Sequence, residues 1–561
     1  MDKILITNPT LKGLLDFTKH IEPLLSDKAY MKTTTGDWFD QASFAQNCQV
    51  FNLRIQEKPW VIVYCATADD VLNTYKTAID NNLPIRIRAG GHDHEGECTG
   101  TNTILIDVSQ MTDVEVNEDT LMAKIGPGNI FKKLTSDLAE AEVMIPHGTC
   151  ATVGISGFVM GGGWGPWTRK HGMCCERLMG ADLVLGDGST VSVDADGDDI
   201  PDLLWALRGG GGMSYGLVTE FRIKTFKLPE TLIRFSIEWN PYTPEWADFP
   251  DYVFPTIQVL KAWENVIESD QTSQLIGTNL QVNGHPLSEF QSDDLDSYYH
   301  NCKMYGYWEG NEDDLKAFIK EWFSSVPVYN LDINPHFGGT GSKSAYGNML
   351  MSDWARESFN KMLMAMPKPE AESLADADQA KLLAEGKPLP PDYDDPAPHK
   401  ITSRLVNPSG LGDEGYLAFL QSLTNPLIMP GNRKLGLFQY VTLGAIVGDY
   451  YRNNPTGGNS AFPYKDKLYT IQYQTWWNLE TYQQYAGQNN PVNDRYNRAL
   501  DWMEVARDYD IPNTTGAFIS FKDSSIPTKT YFAQNYERLM WIKENYSKDP
   551  LNHFRIRKSI I

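Results

Sequence analysis

Two glycine-rich stretches, Arg86 to Gly100 and Pro146 to Gly165, constrain this 561-residue chain more than any other feature. In the first, Ile85 and Ile87 alternate with Arg86 and Arg88 as along a strand, and the strand runs into Gly90-Gly91. A glycine pair permits a tight turn and close backbone approach because no Cβ stands in the way. Such a turn exposes a row of amide N–H groups, and with Arg88 beside them it forms a cradle for a pyrophosphate. The second stretch sets seven glycines around one cysteine, Cys150. Backbone that bare must pack closely, and a large flat ligand explains it.

Together these stretches carry a resemblance. Gly90-Gly91-His92-Asp93, Gly148-Thr149-Cys150 ahead of Val153-Gly154, Gly161-Gly162-Gly163-Trp164-Gly165 and Leu204 to Gly212 resemble the motifs of the berberine-bridge-enzyme-like flavoprotein oxidases, part of the vanillyl-alcohol-oxidase fold group. Gly148-Thr149-Cys150 is most similar to the oligosaccharide and hexose oxidases of that family. The resemblance is dense over residues 40–230 and resumes at 461–561, where Asp549-Pro550-Leu551-Asn552-His553-Phe554 is similar to the family's closing motif. It implies an α+β flavoprotein of two domains, a PCMH-type FAD-binding domain (40–228) and an antiparallel-sheet substrate domain (229–515). A lead-in (1–39) precedes them, and a C-terminal segment (516–561) returns to the flavin domain.

The resemblance further implies bicovalent FAD, with His92 bonded through a ring nitrogen to the flavin 8-methyl group and Cys150 bonded as a thioether to ring position 6. His94, beyond the turn, is read as not the attachment residue. The remaining cofactor contacts implied are Arg88, Gly90, Gly91, Asp93, Val153, Gly154, Gly157, Gly162, Gly163, Val218 and Asn535. The glycines let backbone lie flat against the isoalloxazine, and the flavin does the redox chemistry that the protein orients and tunes.

Two departures bear on catalysis. Ser156-Gly157-Phe158 stands where many relatives carry Gly-Gly-His. In the run Ala517 to Asp523, Phe521 replaces the tyrosine that acts as general base in a family strand, and it cannot take a proton. Tyr531, in a run similar to the family's Tyr-Tyr-Gly-x-Asn, is therefore the candidate base, with its phenol made acidic by nearby positive charge or hydrogen bonding. Alternation along Tyr469 to Tyr473 puts Thr470 and Gln472 on one face, where family members display substrate-facing residues. The resemblance implies hydride transfer from a substrate C–H to flavin, with dioxygen as acceptor and hydrogen peroxide as product. The expected substrate is a secondary-metabolite alcohol or ring carbon. The alternatives are a sugar or oligosaccharide, or a flavin-binding protein with little oxidase turnover.

Bulk properties bound the rest. A chain this long exceeds what one hydrophobic core usually supports, so two domains are expected. A net charge of −23 argues against nucleic acid or anionic membrane as partner, since both call for basic surface. The sequence holds no apolar run of about 18 residues, and its start lacks the apolar core and small-residue cleavage site of a secretory signal. A cytoplasmic protein is expected, with secretion left open. Seven cysteines, odd in number and thinly spread without Cys-x-x-Cys pairs, indicate neither a disulfide framework nor a metal site, and Cys174-Cys175 is read as structural.

Periodicity predicts a helix over Leu11–Ile21 and a β-α-β unit from Trp60–Tyr64, Ala68–Asp80 and Ile85–Arg88. Further strands are expected at Ile104–Val108, Leu121–Ile125, Tyr215–Lys224, Phe235–Trp239, Leu275–Val282, Tyr305–Glu309 and Leu468–Tyr473. Ala181–Gly186 and Thr190–Val193 read as a hairpin. Helices are expected at Asn129–Ala141, Asp202–Leu207, Asp313–Trp322, Ser352–Met366, Asn493–Arg507 and Tyr536–Tyr546. Residues 367–400, rich in Pro, Ala, Glu and Asp, read as a surface excursion.

Overall fold

The computed structural model describes residues 11–33, 41–197, 199–239, 256–287, 292–326, 330–335, 396–432, 436–477, 491–550 and 552–554. The helix expected at Ser352–Met366, and the Pro-rich excursion up to residue 395, lie outside them.

Strands β1 (Tyr30–Thr33), β2 (Val61–Tyr64), β3 (Ile85–Arg88) and β4 (Ile104–Asp107) form a sheet ordered β1-β2-β4-β3, in which β4 runs parallel to β2 and β3. A parallel neighbour requires a crossover. The helix Ala68–Asp80 supplies the crossover from β2 to β3, the strands on either side of β4, its start closed by a capping box between Thr67 and Asp70. The bounds of this helix and of β3 are those expected from the sequence. The helix Leu11–Ile21 belongs to the same core, where Phe17 and Ile21 are buried with Val71, Tyr75 and Ile106. With β1 paired to β2, this unit starts ahead of residue 40.

The next strands are β5 (Val114–Asn117), β6 (Met122–Ile125), β7 (Val143–Met144), β8 (Leu178–Val184), β9 (Thr190–Asp194), β10 (Leu217–Lys224) and β11 (Phe226–Lys227). Five of them form an antiparallel sheet ordered β5-β6-β10-β8-β9, which contains the expected hairpin, while β7 pairs with β11. Ile125, Leu183, Leu204 and Phe221 share one core with Phe532, Leu539 and Ile542. The C-terminal helix Tyr536–Tyr546 thus packs back onto this sheet.

The third sheet comprises β12 (Ile233–Trp239), β13 (Leu275–Pro286), β14 (Tyr298–Trp308), β15 (Asn330–Pro335), β16 (His399–Val406), β17 (Leu437–Ala445), β18 (Tyr469–Trp477) and β19 (Thr514–Thr515). It is antiparallel in the order β15-β12-β14-β13-β17-β18-β16-β19. The helices Thr256–Glu268, Glu312–Trp322, Gly412–Leu423 and Pro491–Asp508 contribute to the core on one face. Sequence reading did not find β16, β17, Thr256–Glu268 or Gly412–Leu423. Every residue of β16 is buried, yet five of its eight are polar and fall on both faces, so no alternation of apolar and polar residues marks it as a strand. Its Lys400 pairs with Glu504, and Arg404 donates to the carbonyl of Ala506 at 2.7 Å, both on the covering helix. Among the described residues no helix is long and apolar enough to cross a membrane.

Candidate active site

A cavity of about 380 Å³ opens where the free face of the third sheet meets the two glycine-rich loops. One wall is backbone from Gly90 to His92, Thr149-Cys150, Gly154 and Gly157; the other is side chains of Asn279, Gln281, Thr442, Gln472, Gln474 and Trp476. Alternation along β18 makes this division. Ile471 and Tyr473 join the core beneath the helices, while Gln472, Gln474 and Trp476 line the cavity.

The glycine loops pack back to back. A Cβ on Gly90 would lie 2.5 Å from the amide nitrogen of Gly154, and a Cβ on Gly154 would lie 2.7 Å from that of Gly90. This contact brings His92 and Cys150 to one cavity. The His92 ring stacks on Phe51 at 3.4 Å and its Nε2 meets Thr152 Oγ1 at 2.8 Å. Among the described residues no group hydrogen-bonds to its Nδ1. Burial, then the neighbouring His94, lower its pKa well below the usual imidazole value.

Beside His92 lies a charge cluster. Lys522 Nζ donates to Asp93 at 2.7 Å and to Glu97 at 2.8 Å. Burial alone would lower the lysine's pKa, but the two carboxylates outweigh it and hold the value above the ordinary one. Asp93 also accepts the amides of Glu95 and Glu97, which closes the turn after His92. His94 Nδ1 meets His399 Nε2 at 2.9 Å, and the His399 ring stacks on Trp476 at 4.0 Å.

Several expected site residues stand elsewhere. Arg88 does not face the amide row: its Nε donates to Asp107 at 2.6 Å and its Nη1 to the carbonyl of Asn47 at 2.7 Å. The strand period explains this, since Ile87 and Ala89 line the cavity and Arg88 turns away. Gly162 and Gly163 are not at the cavity either. At φ of 113° and 83° their carbonyls accept the amides of Cys175 and Cys174, giving that buried cysteine pair a structural role. Asn535 donates to the carbonyl of Ala461 at 2.9 Å and so ties down chain rather than cofactor. Asp93 lines the cavity, but its carboxylate serves Lys522 and the turn.

Tyr531 requires the largest correction. It is 1% exposed, and its hydroxyl accepts from the amide of Asp523 at 2.8 Å and donates to the same residue's carbonyl at 3.0 Å. Burial raises its pKa, the reverse of what a base needs. It packs the returning segment and does not line the cavity. Thr470 shares the face of Gln472, yet is 1% exposed and outside the lining. The run around Phe521 is a 3₁₀ turn over Ile519–Phe521, not a strand, and Phe521 itself lines the cavity. Val153, Gly154, Gly157 and Val218 line it as expected.

Sequence reading missed His94, Cys98, Lys522, Gln474, Trp476 and the β13 pair Asn279 and Gln281. Gln474 and Trp476 were within reach, because the alternation noted for Thr470 and Gln472 continues to them.

The lining fits a flavin. A Cβ on Gly157 would meet nothing within 4 Å, and one on Gly212 would meet only Met160 Cε at 3.9 Å. Both glycines line the cavity, so bare backbone faces open space of the kind a flat ring system fills. Among the described residues His92 Nδ1 has no hydrogen-bond partner, and Cys150 lines the same cavity; none of the seven cysteines is in a disulfide.

Comparison with known proteins agrees with this fit. The family profile described as FAD binding domain matches residues 59–194, and that described as Berberine and berberine like matches residues 517–561. The FAD-linked oxidoreductase YgaK of Bacillus subtilis, itself described as uncharacterized, is 26% identical over 519 residues, covering 91% of this chain and 92% of that protein. Glucooligosaccharide oxidase of Sarocladium strictum is 25% identical over 319 residues, 56% of this chain and 55% of its own. Two solved structures share the fold at 19% identity and a TM-score of 0.70. They are a glucooligosaccharide oxidase from Acremonium strictum, with 97% of this chain and 98% of that one covered, and berberine bridge enzyme from Eschscholzia californica, with 98% of each covered.

Proposed function

We propose that this chain, which is similar to FAD-linked oxidoreductases and matches the FAD binding and the berberine-like family profiles, is an oxidase of an alcohol carbon in a neutral, hydroxyl-bearing small molecule. In this reading FAD is held covalently through His92 and Cys150. When bound, the flavin supplies a two-electron acceptor for substrate hydride and passes the electrons to dioxygen, with hydrogen peroxide as product.

The observation that carries the reading is the convergence of His92, Cys150 and a row of carboxamides on one cavity. The Thr152 hydroxyl engages His92 Nε2 and leaves Nδ1 for attachment. A related glucooligosaccharide oxidase carries 6-S-cysteinyl, 8α-N1-histidyl FAD, which supports two bonds here. Across the cavity stand the carboxamides of Asn279, Gln281, Gln472 and Gln474, a wall of polar groups suited to a hydroxyl-bearing molecule. Gln474 is held in orientation, since its Oε1 accepts from Tyr440 Oη and Trp476 Nε1, both at 3.0 Å. The Lys522, Asp93 and Glu97 charges are spent on one another, which favours a neutral substrate. This wall favours a sugar or oligosaccharide over an apolar ring carbon, and the likeness to glucooligosaccharide oxidase points the same way.

The test is anaerobic bleaching of the bound flavin by reducing sugars and by benzylic alcohols, followed by peroxide detection on admitting air. Sugars should bleach it faster. Bound flavin that no compound bleaches would leave a flavin-binding protein with little turnover. For the attachment, the yellow colour should stay with acid-precipitated protein in the wild type, His92→Ala and Cys150→Ala, and leave only in the double variant. Complete release from the wild type would refute both bonds.

A further inference from the structure

The proposed oxidation, on which this inference rests, leaves one role vacant. As hydride departs an alcohol carbon the hydroxyl proton must go somewhere, yet Phe521 has no lone pair and Tyr531 is turned into the core. Most other cavity-lining groups are already engaged. Asp93 and Glu97 hold Lys522, burial pushes the Cys98 thiol up to about 12, and Tyr440 donates its proton to Gln474.

The geometry points to Nε2 of His94 as the acceptor of the substrate's hydroxyl proton, with His399 as the positioning residue that sets the His94 tautomer. The hydrogen-bond chain fixes this from its far end. The carbonyl of Ala397 can only accept, so His399 Nδ1, 2.8 Å away, carries a hydrogen. In the neutral ring His399 Nε2 is then a bare lone pair. His94 Nδ1, 2.9 Å from it, must donate, which leaves His94 Nε2 bare in its turn. Among the described residues no group hydrogen-bonds to that nitrogen, and His94 lines the cavity. The pair is braced by Asn52, whose Nδ2 donates to the carbonyls of His94 at 2.6 Å and His399 at 3.1 Å.

The surrounding charges agree. Burial lowers His94 to about 4, Asp93 pulls it up and Lys522 down, so the ring is neutral at pH 7. His92 and Arg54 face His399, and with burial and His94 they hold it neutral as well. In the step, the substrate O–H bond breaks and an Nε2–H bond forms. The O–H electron pair closes the C=O bond, and the C–H pair leaves as hydride to the flavin. The imidazolium that results keeps its Nδ1–H on His399 and lies beside the Asp93 carboxylate.

Two measurements on the holoenzyme test this. In protein labelled with 15N-histidine, two-bond nitrogen–proton spectra, with His94→Gln identifying the signals, should show His94 neutral and protonated on Nδ1 at pH 7. An Nε2–H tautomer overturns the assignment whether or not a substrate is known. In anaerobic stopped-flow with the sugar that bleaches the wild type fastest, His94→Gln should reduce its flavin roughly 100- to 10,000-fold more slowly with colour still covalent. His399→Phe should lose the tautomer preference and part of the rate. The wild-type rate should fall below about pH 4, a limb absent from His94→Gln. A His94→Gln protein that matches the wild-type rate removes His94 from the mechanism while the oxidase reading stands. A wild type that no sugar or alcohol bleaches defeats that reading, and His94 as acceptor with it.

Discussion

Replacing Gly154 by alanine puts a methyl carbon 2.7 Å from the amide nitrogen of Gly90 and 3.1 Å from its Cα. Both are backbone atoms and cannot swing aside. Ordinary contact for such a pair begins near 3.4 Å, so the loops must part by roughly 0.7 Å or the turn must distort, at the usual overpacking cost of about 1–3 kcal/mol. At about 2–4 °C per kcal/mol for a domain of this size, the melting temperature should drop by roughly 2–12 °C. The same shift moves the His92 turn away from the Cys150 loop, so covalent flavin should fall too. Gly157→Ala is the contrasting perturbation. Its methyl meets no atom within 4 Å and sits in the helix Ile155–Met160, where alanine is favoured over glycine by about 1 kcal/mol. The fold should be as stable as the wild type or slightly more so, yet the methyl enters the cavity and should impair flavin binding. Melting curves and the ratio of flavin to protein absorbance read both variants. A Gly154→Ala protein with wild-type melting and full flavin would refute the back-to-back contact. Full flavin and an unchanged spectrum in Gly157→Ala would show that the bare backbone is not where the ring system lies.

Tyr531→Phe should keep the wild-type rate of flavin reduction, while the buried amide of Asp523 left without its partner costs about 1–3 kcal/mol, read from denaturant midpoints; a 100-fold slower reduction would return Tyr531 to the mechanism. Acid should destabilise the fold through its buried neutral histidines. Burial lowers His147 and His300 from the usual 6.5 to about 4, so between those values the unfolded chain binds protons that the folded chain does not. Their stabilisation is complete above about pH 6.5 and is lost as pH falls toward 4, about 2 kcal/mol for each by pH 5. A urea midpoint unchanged between pH 7 and pH 5 would contradict both shifts.

Local sequence was enough wherever a residue's role depends on neighbours along the chain. The capped helix Ala68–Asp80, strand β3 and the turn at Gly90-Gly91 are of this kind, because glycine's missing Cβ and the helical and strand periods act over a few residues, whereas the joining of His92 with Cys150 in one site was implied by the family resemblance and not by local sequence. Direction was harder. Arg88 sits beside the turn in sequence, but the strand period points it at Asp107, and only the position of β4 decides that a carboxylate waits there. Strand β16 was invisible because its buried polar residues, His399, Lys400, Thr402, Ser403 and Arg404, fall on both faces and find their partners only in the fold, which removes the alternation that marks a strand. Tyr531 and Lys522 show the limit most clearly. Nine residues apart, one is turned into the core and the other reaches Asp93 and Glu97, more than 420 positions earlier in the chain. The pairing of His94 with His399 spans 305 positions. Ionisation, tautomer and access to the cavity depend on burial and on partners brought together by the fold, and these quantities do not exist until the third sheet closes over the glycine loops.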